Sequence, residues 1–377
     1  MGPLTGIRIV EFAGLGPGPF AGMMLADMGA EILRIERRGG GLTPADPKRD
    51  IPARGRKSIT LDLKAGGATD VALKLIDQAD AVIEGYRPGV MERLGLGPEV
   101  CHARNPALVY GRMTGWGQNG KLSQAAGHDL NYIALSGALW AMGEADRKPM
   151  PPLNLLGDFG GGGMFLAYGI VCALLRVKMT GQGDIVDAAI SDGTAALMAP
   201  VYGYQAMGGW KNERQSNRLD GGAPYYGVYE CKCGGWITLG AIEPQFWALF
   251  MQALELPEDH FGDRHDQDLW PEMRRQFAEI FAGKHREEWC ALMEGTDICF
   301  APVLSMAEAP VHPHNLSRGT FETENGVTQP VPAPRFTNAP AQMPSPPPAK
   351  GQDNETALLD WGFSHSEIQS MLSEGQL

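Results

Sequence analysis

Short runs of β-branched and apolar residues alternate with helical stretches through the first part of the chain. Residues 7–11, 31–35 and 81–84 have the length and composition of buried strands. Residues 19–28 and 69–78, which lie between these runs, have the pattern of helices. A strand–helix alternation of this kind is typical of parallel strands joined by crossover helices, so it predicts a parallel sheet with helices packed on its faces.

The same pattern extends further along the chain. Residues 108–112 and 184–187 are also predicted to be strands, and the apolar stretch 164–178 between them is predicted to be a long helix. This stretch is too short to span a bilayer and contains an arginine, so the sequence predicts no membrane segment. The first part of the chain is therefore predicted to be a doubly wound, Rossmann-like α/β domain.

A change of pattern after Ser191 predicts a linker followed by a second, smaller α+β domain. Two β-branched runs flank the turn Gly234-Gly235 as a hairpin, and helical stretches follow. Residues 330–348 contain eight prolines, which favour an extended backbone and exclude helices and central strands. The predicted large domain is residues 1–188, and a linker, 189–225, connects it to the small domain, 226–311. A second linker, 312–331, leads to the C-terminal return to the large domain, 332–377.

Composition is typical of soluble globular proteins. The 377 residues are 44% apolar and 20% charged, with a formal net charge of −12, and this balance excludes disorder as the main state. An acidic chain of this kind is not expected to bind nucleic acid. The six cysteines include no C-x-x-C pair, and no export signal is found, so a reduced, cytoplasmic protein without a metal site is predicted.

One segment departs from this acidic balance. Residues 34–64 contain nine cationic and four acidic side chains. A basic patch in an acidic protein favours binding of a multiply phosphorylated small ligand. A solvated basic face explains the spacing equally well, so both interpretations remain open on the sequence alone.

The turn after the first predicted strand matches a dinucleotide-binding pattern. Residues 16–21 fit G-x-G-x-x-A, and Glu36 closes the next strand. Pro17 and Pro19 lack the backbone N–H groups that would help to bind a pyrophosphate. We therefore interpret the turn as structural and keep an NAD-dependent oxidoreductase as an alternative.

Three titratable residues lie at predicted junctions between elements. His128 follows a glycine at the start of a predicted helix, and an imidazole suits proton transfer near neutral pH. Asp158 precedes Phe159 and four glycines, which favour close approach of a ligand to the backbone, although helix capping is the simpler interpretation. Glu243 precedes Pro244 and a helix, where capping is again the default explanation.

Seven motifs distributed along the chain combine into one pattern. They are residues 10–20, 62–64, 85–89, 126–132, 157–160, 219–224 and 240–246. In combination they resemble the α-methylacyl-CoA racemases of the class III CoA-transferase family, nearly end to end. The resemblance implies a Rossmann-like large domain and a small domain in an interlocked homodimer. Each active site is then expected between the large domain of one chain and the small domain of the other.

The resemblance also implies roles for particular residues. His128 and Asp158 correspond to two catalytic bases, and Glu243 corresponds to the carboxylate that supports the histidine. Leu130 is one departure, since relatives commonly have isoleucine there. The positions that correspond to CoA contacts are Arg37, Leu61, Asp62, Leu63, Lys64, Gly85, Tyr86, Arg87, Arg93, Gly127, His128, Asp129, Leu130, Asn131 and Tyr132.

The implied chemistry agrees with these residue types. Inversion at the carbon α to a thioester requires one group to remove a proton from one face and another to return a proton to the opposite face, through an enolate. We expect His128 and Asp158 to alternate as base and acid, with N–H groups after Asp158 stabilising the enolate. No metal or redox cofactor is expected. CoA transfer with Asp158 as nucleophile is the alternative within the family, and a non-catalytic acyl-CoA binding protein is a further one.

Overall fold

The computed structural model describes residues 2–39 and 46–377, which divide into two compact units. This division differs from the sequence prediction in several segments. Residues 200–225 and 312–321, predicted as linkers, belong to the second unit, and residues 322–331, also predicted as a linker, belong to the first unit. Residues 139–151 belong to the second unit rather than to the large domain. Residues 189–199 belong to the first unit rather than to a linker, because Ile190 and Thr194 are buried there. Unit 1 comprises Met1–Ala138, Pro152–Ala199 and Glu322–Leu377, and unit 2 comprises Leu139–Pro151 and Pro200–Phe321.

Strands and α-helices are numbered in chain order. The strands are β1 Arg8–Phe12, β2 Glu31–Glu36, β3 Arg56–Thr60, β4 Ala81–Glu84, β5 Val109–Thr114, β6 Asp184–Ala189, β7 Gly227–Glu230, β8 Trp236–Leu239, β9 Phe300–Val303, β10 Phe321–Glu324 and β11 Val327–Pro330. The α-helices are α1 Pro17–Asp27, α2 Ala68–Ile76, α3 Val90–Arg93, α4 Pro98–Arg104, α5 Asp129–Leu135, α6 Phe165–Thr180, α7 Ile190–Leu197, α8 Ala199–Ala206, α9 Pro244–Ala253, α10 Trp270–Phe281, α11 Arg286–Met293, α12 Pro313–Arg318, α13 Asn354–Asp360 and α14 His365–Ser373. A π-helix spans Leu155–Met164.

All six strands of the sheet in unit 1 are parallel, in the order β3-β2-β1-β4-β5-β6. Val10 on β1 pairs with Leu33 on β2 and with Val82 on β4. The strand order reverses between β1 and β4, and in such sheets ligands bind outside the carboxyl ends of the strands at this point. The predicted doubly wound α/β architecture is confirmed.

Both faces of this sheet are covered, which explains why its central strands are almost continuously apolar. One face packs against α2 and the two C-terminal helices, and Trp361 is fully buried there. The other face packs against α1 and α6, through residues such as Leu25 and Ile170. The C-terminal segment therefore belongs to the core of unit 1.

The π-helix and α6 form one continuous helical segment, Leu155–Thr180. By length and composition alone it is long and apolar enough to cross a membrane, with a mean hydropathy of 1.5 over 18 residues, 44% of which are buried. The predicted helix was too short because the sequence pattern did not reveal the π-helical turns before it. Leu166, Ile170 and Leu174 nevertheless pack into the core of unit 1, and core helices of this kind meet the same criterion of length and composition.

Unit 2 contains an antiparallel sheet in the order β7-β8-β9. Its hairpin β7–β8 flanks the predicted Gly-Gly turn, with Tyr229 paired to Ile237. The core beside this sheet is rich in aromatic side chains, and Phe277 contacts both Phe250 and Phe261 at ring-centroid distances of 5.4 and 4.9 Å. The prediction of a smaller α+β part is confirmed.

Part of the basic segment is buried rather than solvated. Arg54 donates to both carboxylate oxygens of Asp27, and Arg56 donates to Glu11. None of these four side chains is more than 4% exposed. They connect β3 to α1 and β1, so these two arginines are unavailable to a ligand. The phosphate-site interpretation is therefore wrong for Arg54 and Arg56 and stays a prediction for the exposed cations.

Candidate active site

Several of the predicted CoA-contacting positions follow the carboxyl ends of neighbouring strands. Arg37 follows β2, residues 61–64 follow β3, and residues 85–87 follow β4. The carboxyl ends of parallel strands lie at the same edge of a sheet, which is where ligands bind in doubly wound folds. The fold of unit 1 therefore places these three segments along one edge.

Asp158 lies on the π-helix and is half-buried. Burial raises the pKa of its carboxyl above the ordinary value, and the nearby Asp129 raises this pKa further. Asn154 Nδ2 donates to Asp158 Oδ2 at 3.3 Å, and both this hydrogen bond and His128 lower the pKa. The net rise suits an acid or base, because a carboxyl with a raised pKa takes up and releases protons at higher pH.

The turn at Gly16 borders the Asp158 carboxylate. A Cβ at Gly16 would lie 3.2 Å from Asp158 Oδ2, and the backbone φ of +66° is strained for any other residue. A carboxylate at this place disfavours the pyrophosphate of a dinucleotide. The geometry agrees with the structural interpretation of the turn.

His128 immediately precedes α5, and its side chain is exposed. Its backbone N–H donates to Asn131 Oδ1 at 2.9 Å, which closes the first turn of the helix. The Tyr132 hydroxyl donates to the Gly127 carbonyl, and the Tyr132 ring packs edge-on against Trp116. These contacts order the motif around an accessible imidazole.

Two residues that the sequence analysis did not assign to catalysis contact Asp158. One is Asn154, which sequence reasoning could have found because it lies one helical turn before Asp158. The other is Asp129, whose carboxylate is 9% exposed and accepts the Asp158 backbone N–H at 2.6 Å. No local signal could have revealed the second contact, since it joins two separate elements.

Asp158 does not begin a helix, because the π-helix starts at Leu155. The Phe159 N–H donates to the Asn154 carbonyl at 3.3 Å. Capping by Asp158 was therefore a wrong interpretation, whereas stabilisation of an enolate by the N–H groups after Asp158 stays a prediction without the open helix start on which it was based. The amides that follow Asp158 lie inside a helix rather than at its open start.

The glycines after Asp158 provide close packing within unit 1. A Cβ at Gly161 would lie 2.4 Å from Thr194 Oγ1, and a Cβ at Gly163 would lie 2.8 Å from the Pro17 carbonyl oxygen. These glycines allow the π-helix to approach α7 and α1. The backbone that approaches here is the protein's own, so the expected ligand contact at these two glycines was wrong.

A surface cavity of about 500 Å³ lies at the end of β2 and is lined by Arg37, Arg38, Gly39 and Asp62. Both arginines are exposed, and Arg38 donates to the Gly375 carbonyl at 3.2 Å. Leu61, by contrast, is 1% exposed and packs in the core. Only its backbone is placed to contact a ligand. Leu63 is half-buried, and Lys64, Leu130 and Asn131 are exposed.

The turn Gly85-Tyr86-Arg87 is held by the buried Glu84. One oxygen of Glu84 accepts the Tyr86 N–H at 2.8 Å, and the other accepts Arg112 Nε at 2.9 Å. Burial raises the pKa of the Glu84 carboxyl, while these two partners lower it. The turn therefore has a fixed backbone, and Arg87 on it and Arg93 on α3 are exposed.

Glu243 belongs to unit 2, where it precedes α9. Its side chain is exposed, and its carboxylate accepts no capping hydrogen bond from the part of the chain that the structure describes. Side-chain capping was therefore a wrong interpretation, and Pro244 at the first helical position marks the start of the helix instead. The three predicted catalytic residues are thus divided between the two units.

One group of side chains has the composition of a metal site. Cys233, His285 and Glu287 of unit 2 bring one ligand atom each to within 4.8 Å of one another. All three are exposed, and Glu287 also lies 3.5 Å from the Arg286 guanidinium. The cluster involves none of the candidate catalytic residues.

Residues 4–354 match the family model described as CoA-transferase family III. The chain belongs to this family. It is 44% identical over 374 residues to the alpha-methylacyl-CoA racemase of Mus musculus and 43% identical over 376 residues to that of Homo sapiens. Each alignment covers 98% of this chain and 96% of the relative.

Solved structures within the family have the same fold. A crystal structure of a CAIB/BAIF family protein from Brucella suis superposes with a TM-score of 0.82 at 24% identity. The superposition covers 96% of this chain and 99% of the other. Membership of CoA-transferase family III confirms the resemblance that the seven motifs indicated.

Proposed function

We propose that this chain interconverts the (2R) and (2S) forms of 2-methylacyl-CoA thioesters. The observation that carries the proposal is the presence of both His128 and Asp158 in unit 1 of a chain 43–44% identical to two racemases. The imidazole lowers the pKa of the Asp158 carboxyl, so the two groups lie within electrostatic reach of each other. Inversion by removal and return of a proton requires two such groups.

In the proposed mechanism one base removes the proton from the α-carbon, and the C–H electron pair moves into the thioester carbonyl to form an enolate. The conjugate acid of the other base then donates a proton to the opposite face, and the carbonyl re-forms. His128 is the base for one enantiomer and Asp158 for the other. The reaction is redox-neutral and leaves the thioester intact, so we propose that it needs no metal or redox cofactor.

We propose that the exposed arginines at the carboxyl edge of the sheet bind the phosphates of CoA. Arg37 lines the cavity at the end of β2, and Arg87 projects from the turn that Glu84 fixes. Guanidinium groups bind phosphate by charge-assisted hydrogen bonds. The remaining CoA contacts are proposed at residues 61–64, Arg93 and residues 127–132.

CoA transfer is a second candidate function within the same family. The family description favours it, and a half-buried carboxylate at Asp158 also suits nucleophilic attack on a thioester. A transferase needs a second carboxylate that accepts CoA, and attack of Asp158 on the donor thioester would expel the CoA thiolate and leave an acyl anhydride on Asp158. A racemase needs neither, so the two functions are separable by experiment.

We propose that the active form is an interlocked homodimer in the cytoplasm. The outer face of α6 exposes an apolar stripe of Tyr168, Val171, Leu175 and Met179, which are 42–72% exposed. A continuous apolar stripe favours burial against another surface, and a second copy provides it by symmetry. In that dimer Glu243 of one chain would support His128 of the other.

Deuterium incorporation tests the function directly. A (2R)-2-methylacyl-CoA incubated with the enzyme in deuterated water should epimerise and gain α-deuterium. His128→Ala and Asp158→Ala should each lose most epimerisation, and each should retain α-deuterium exchange with one enantiomer only. CoA release to an added carboxylate without epimerisation would identify a transferase instead.

Complementation tests the dimer. His128→Ala coexpressed with Glu243→Ala should recover part of the activity if each heterodimer contains one intact pair of these residues. An active monomer in sedimentation at working concentration would contradict the dimer and leave the two-base chemistry unaffected.

A further inference from the structure

We propose that Asp129 is a positioning residue that fixes the position of Asp158 relative to His128 and so sets the geometry of the two-base site. This inference rests on the proposed racemase function. Asp129 follows His128 directly in sequence and is the first residue of α5. Its carboxylate accepts the backbone N–H of Asp158 on the π-helix at 2.6 Å. One side chain therefore joins the two elements that carry the two bases.

The contact is buried and built for this partner. Asp129 is 9% exposed, and a carboxylate that accepts a backbone N–H away from water forms a stronger hydrogen bond than a neutral acceptor does. Because Asp129 shields this contact from water, leaving the Asp158 N–H without an acceptor would cost free energy. The bond therefore resists displacement when substrate enters.

Gly157 provides an independent observation. A Cβ at this position would lie 2.1 Å from Asp129 Oδ1 and 2.8 Å from Ile133 Cγ2. Only glycine allows the π-helix to approach α5 closely enough for the hydrogen bond. The residue before Asp158 and the residue after His128 are thus fitted to each other.

The same carboxylate also acts on Asp158 through its charge. Two titratable groups act on Asp158: the Asp129 charge raises the pKa of the Asp158 carboxyl, and His128 lowers it. The Asp158 charge in turn raises the pKa of the Tyr132 hydroxyl. The Asp129 charge favours the protonated form of Asp158. Removing this charge without removing the acceptor oxygen should therefore separate the positional effect from the electrostatic one.

The variants Asp129→Asn and Asp129→Ala separate the positional effect of Asp129 from its electrostatic effect. Asparagine keeps an oxygen that accepts the Asp158 N–H, whereas alanine removes it. We expect Asp129→Ala to lower kcat by about tenfold to a hundredfold, because small displacements of a catalytic group have effects of this size. KM for the acyl-CoA should change by less than about threefold, since the Asp129 carboxylate is engaged with the Asp158 N–H and the CoA contact proposed at this position is left to its backbone, which both variants keep.

Asp129→Asn should retain most of kcat at the optimum. In the direction in which Asp158 acts as base, the acidic limb of the variant's pH–rate profile should move to lower pH, because loss of the Asp129 charge lowers the pKa of Asp158. In the direction in which His128 acts as base, the acidic limb should move less. A purely structural role for Asp129 predicts no such shift.

Asp80→Ala is the matched control. Asp80 also accepts a backbone N–H, from Arg8 at 2.7 Å, but it precedes β4 at the opposite edge of the sheet. We expect it to lower Tm while leaving kcat unchanged. A kcat in Asp129→Ala equal to that of the wild type, or a higher KM with unchanged kcat, would overturn the inference. Absence of epimerisation by the wild-type enzyme would instead contradict the proposed function.

Discussion

Buried guanidinium–carboxylate pairs organise unit 1 at the level of single residues. Arg56 is fully buried against Glu11 and also donates to the Pro19 carbonyl, so it connects β3 to β1 and to the start of α1. Arg112 forms the equivalent contact with Glu84 beneath the Gly85–Arg87 turn. Such groups stay buried only when they are paired, so the basic composition of residues 34–64 overstates the positive charge available to a ligand.

The exposed arginines of this segment should differ in their effect on binding. Arg37→Ala should weaken acyl-CoA binding about tenfold, which corresponds to the loss of one charge-assisted hydrogen bond of about 1.5 kcal/mol. Arg49→Ala is the matched control, because Arg49 is also exposed but contacts Asp46 at 3.1 Å. Isothermal titration with acyl-CoA at low and high salt measures the affinity of each variant. Equal affinities in the two variants would exclude Arg37 from the CoA site.

At the scale of elements, the contact between the π-helix and α7 positions Asp158. Gly193→Ala would place a Cβ 1.8 Å from the Gly161 carbonyl oxygen. We expect a loss of about 3 kcal/mol in the free energy of unfolding, because the backbones must separate. Turnover should also decrease, since the separation moves Asp158. Thermal unfolding and epimerisation rates measure the two effects.

Gly203→Ala on α8 provides the comparison. Nothing lies within 4 Å of the Cβ that it would introduce. It should stabilise the protein by about 0.5–1 kcal/mol through helix propensity. Stability changes of the same sign in both variants would contradict the packing role assigned to Gly193.

Elements with a strong hydrophobic pattern were predictable, and those without one were not. Strands β1, β2 and β4 were predictable because both of their faces are buried in the sheet. Strand β3, which begins Arg56-Lys57-Ser58, was not predicted, since polar side chains on an edge strand give no apolar run. The π-helix was not predicted either, because its glycines indicate flexibility until their neighbours are known.

The candidate site was predictable to a similar degree. His128 and Asp158 were found from residue type and motif, and the structure places both in unit 1. The contact between Asp129 and Asp158 was not found, because it depends on how α5 packs against the π-helix. The side-chain burial of Leu61 was missed for the same reason, since burial of a residue after an edge strand depends on the C-terminal helices.

At the scale of the whole molecule, the C-terminal segment should be essential to the stability of unit 1. Trp361 is fully buried, its Nε1 donates to Glu31 at 2.9 Å, and the Arg8 guanidinium lies 3.8 Å above its ring. Trp361→Ala should cost about 3–5 kcal/mol and lower Tm by about 10 °C. Phe336→Ala, at a side chain that is 41% exposed, should change Tm little. Similar Tm values for both variants would show that Trp361 contributes little to the stability of this core.

This arrangement has a consequence for synthesis of the protein on the ribosome. The strands β1 to β5 emerge early, but one face of their sheet is covered by Leu358, Trp361 and Ile368, which are among the last residues to be translated. At about 5–20 residues per second, unit 2 is complete several seconds before unit 1. During that interval the nascent sheet exposes an apolar face, so a chaperone that binds this face should increase the yield of soluble enzyme.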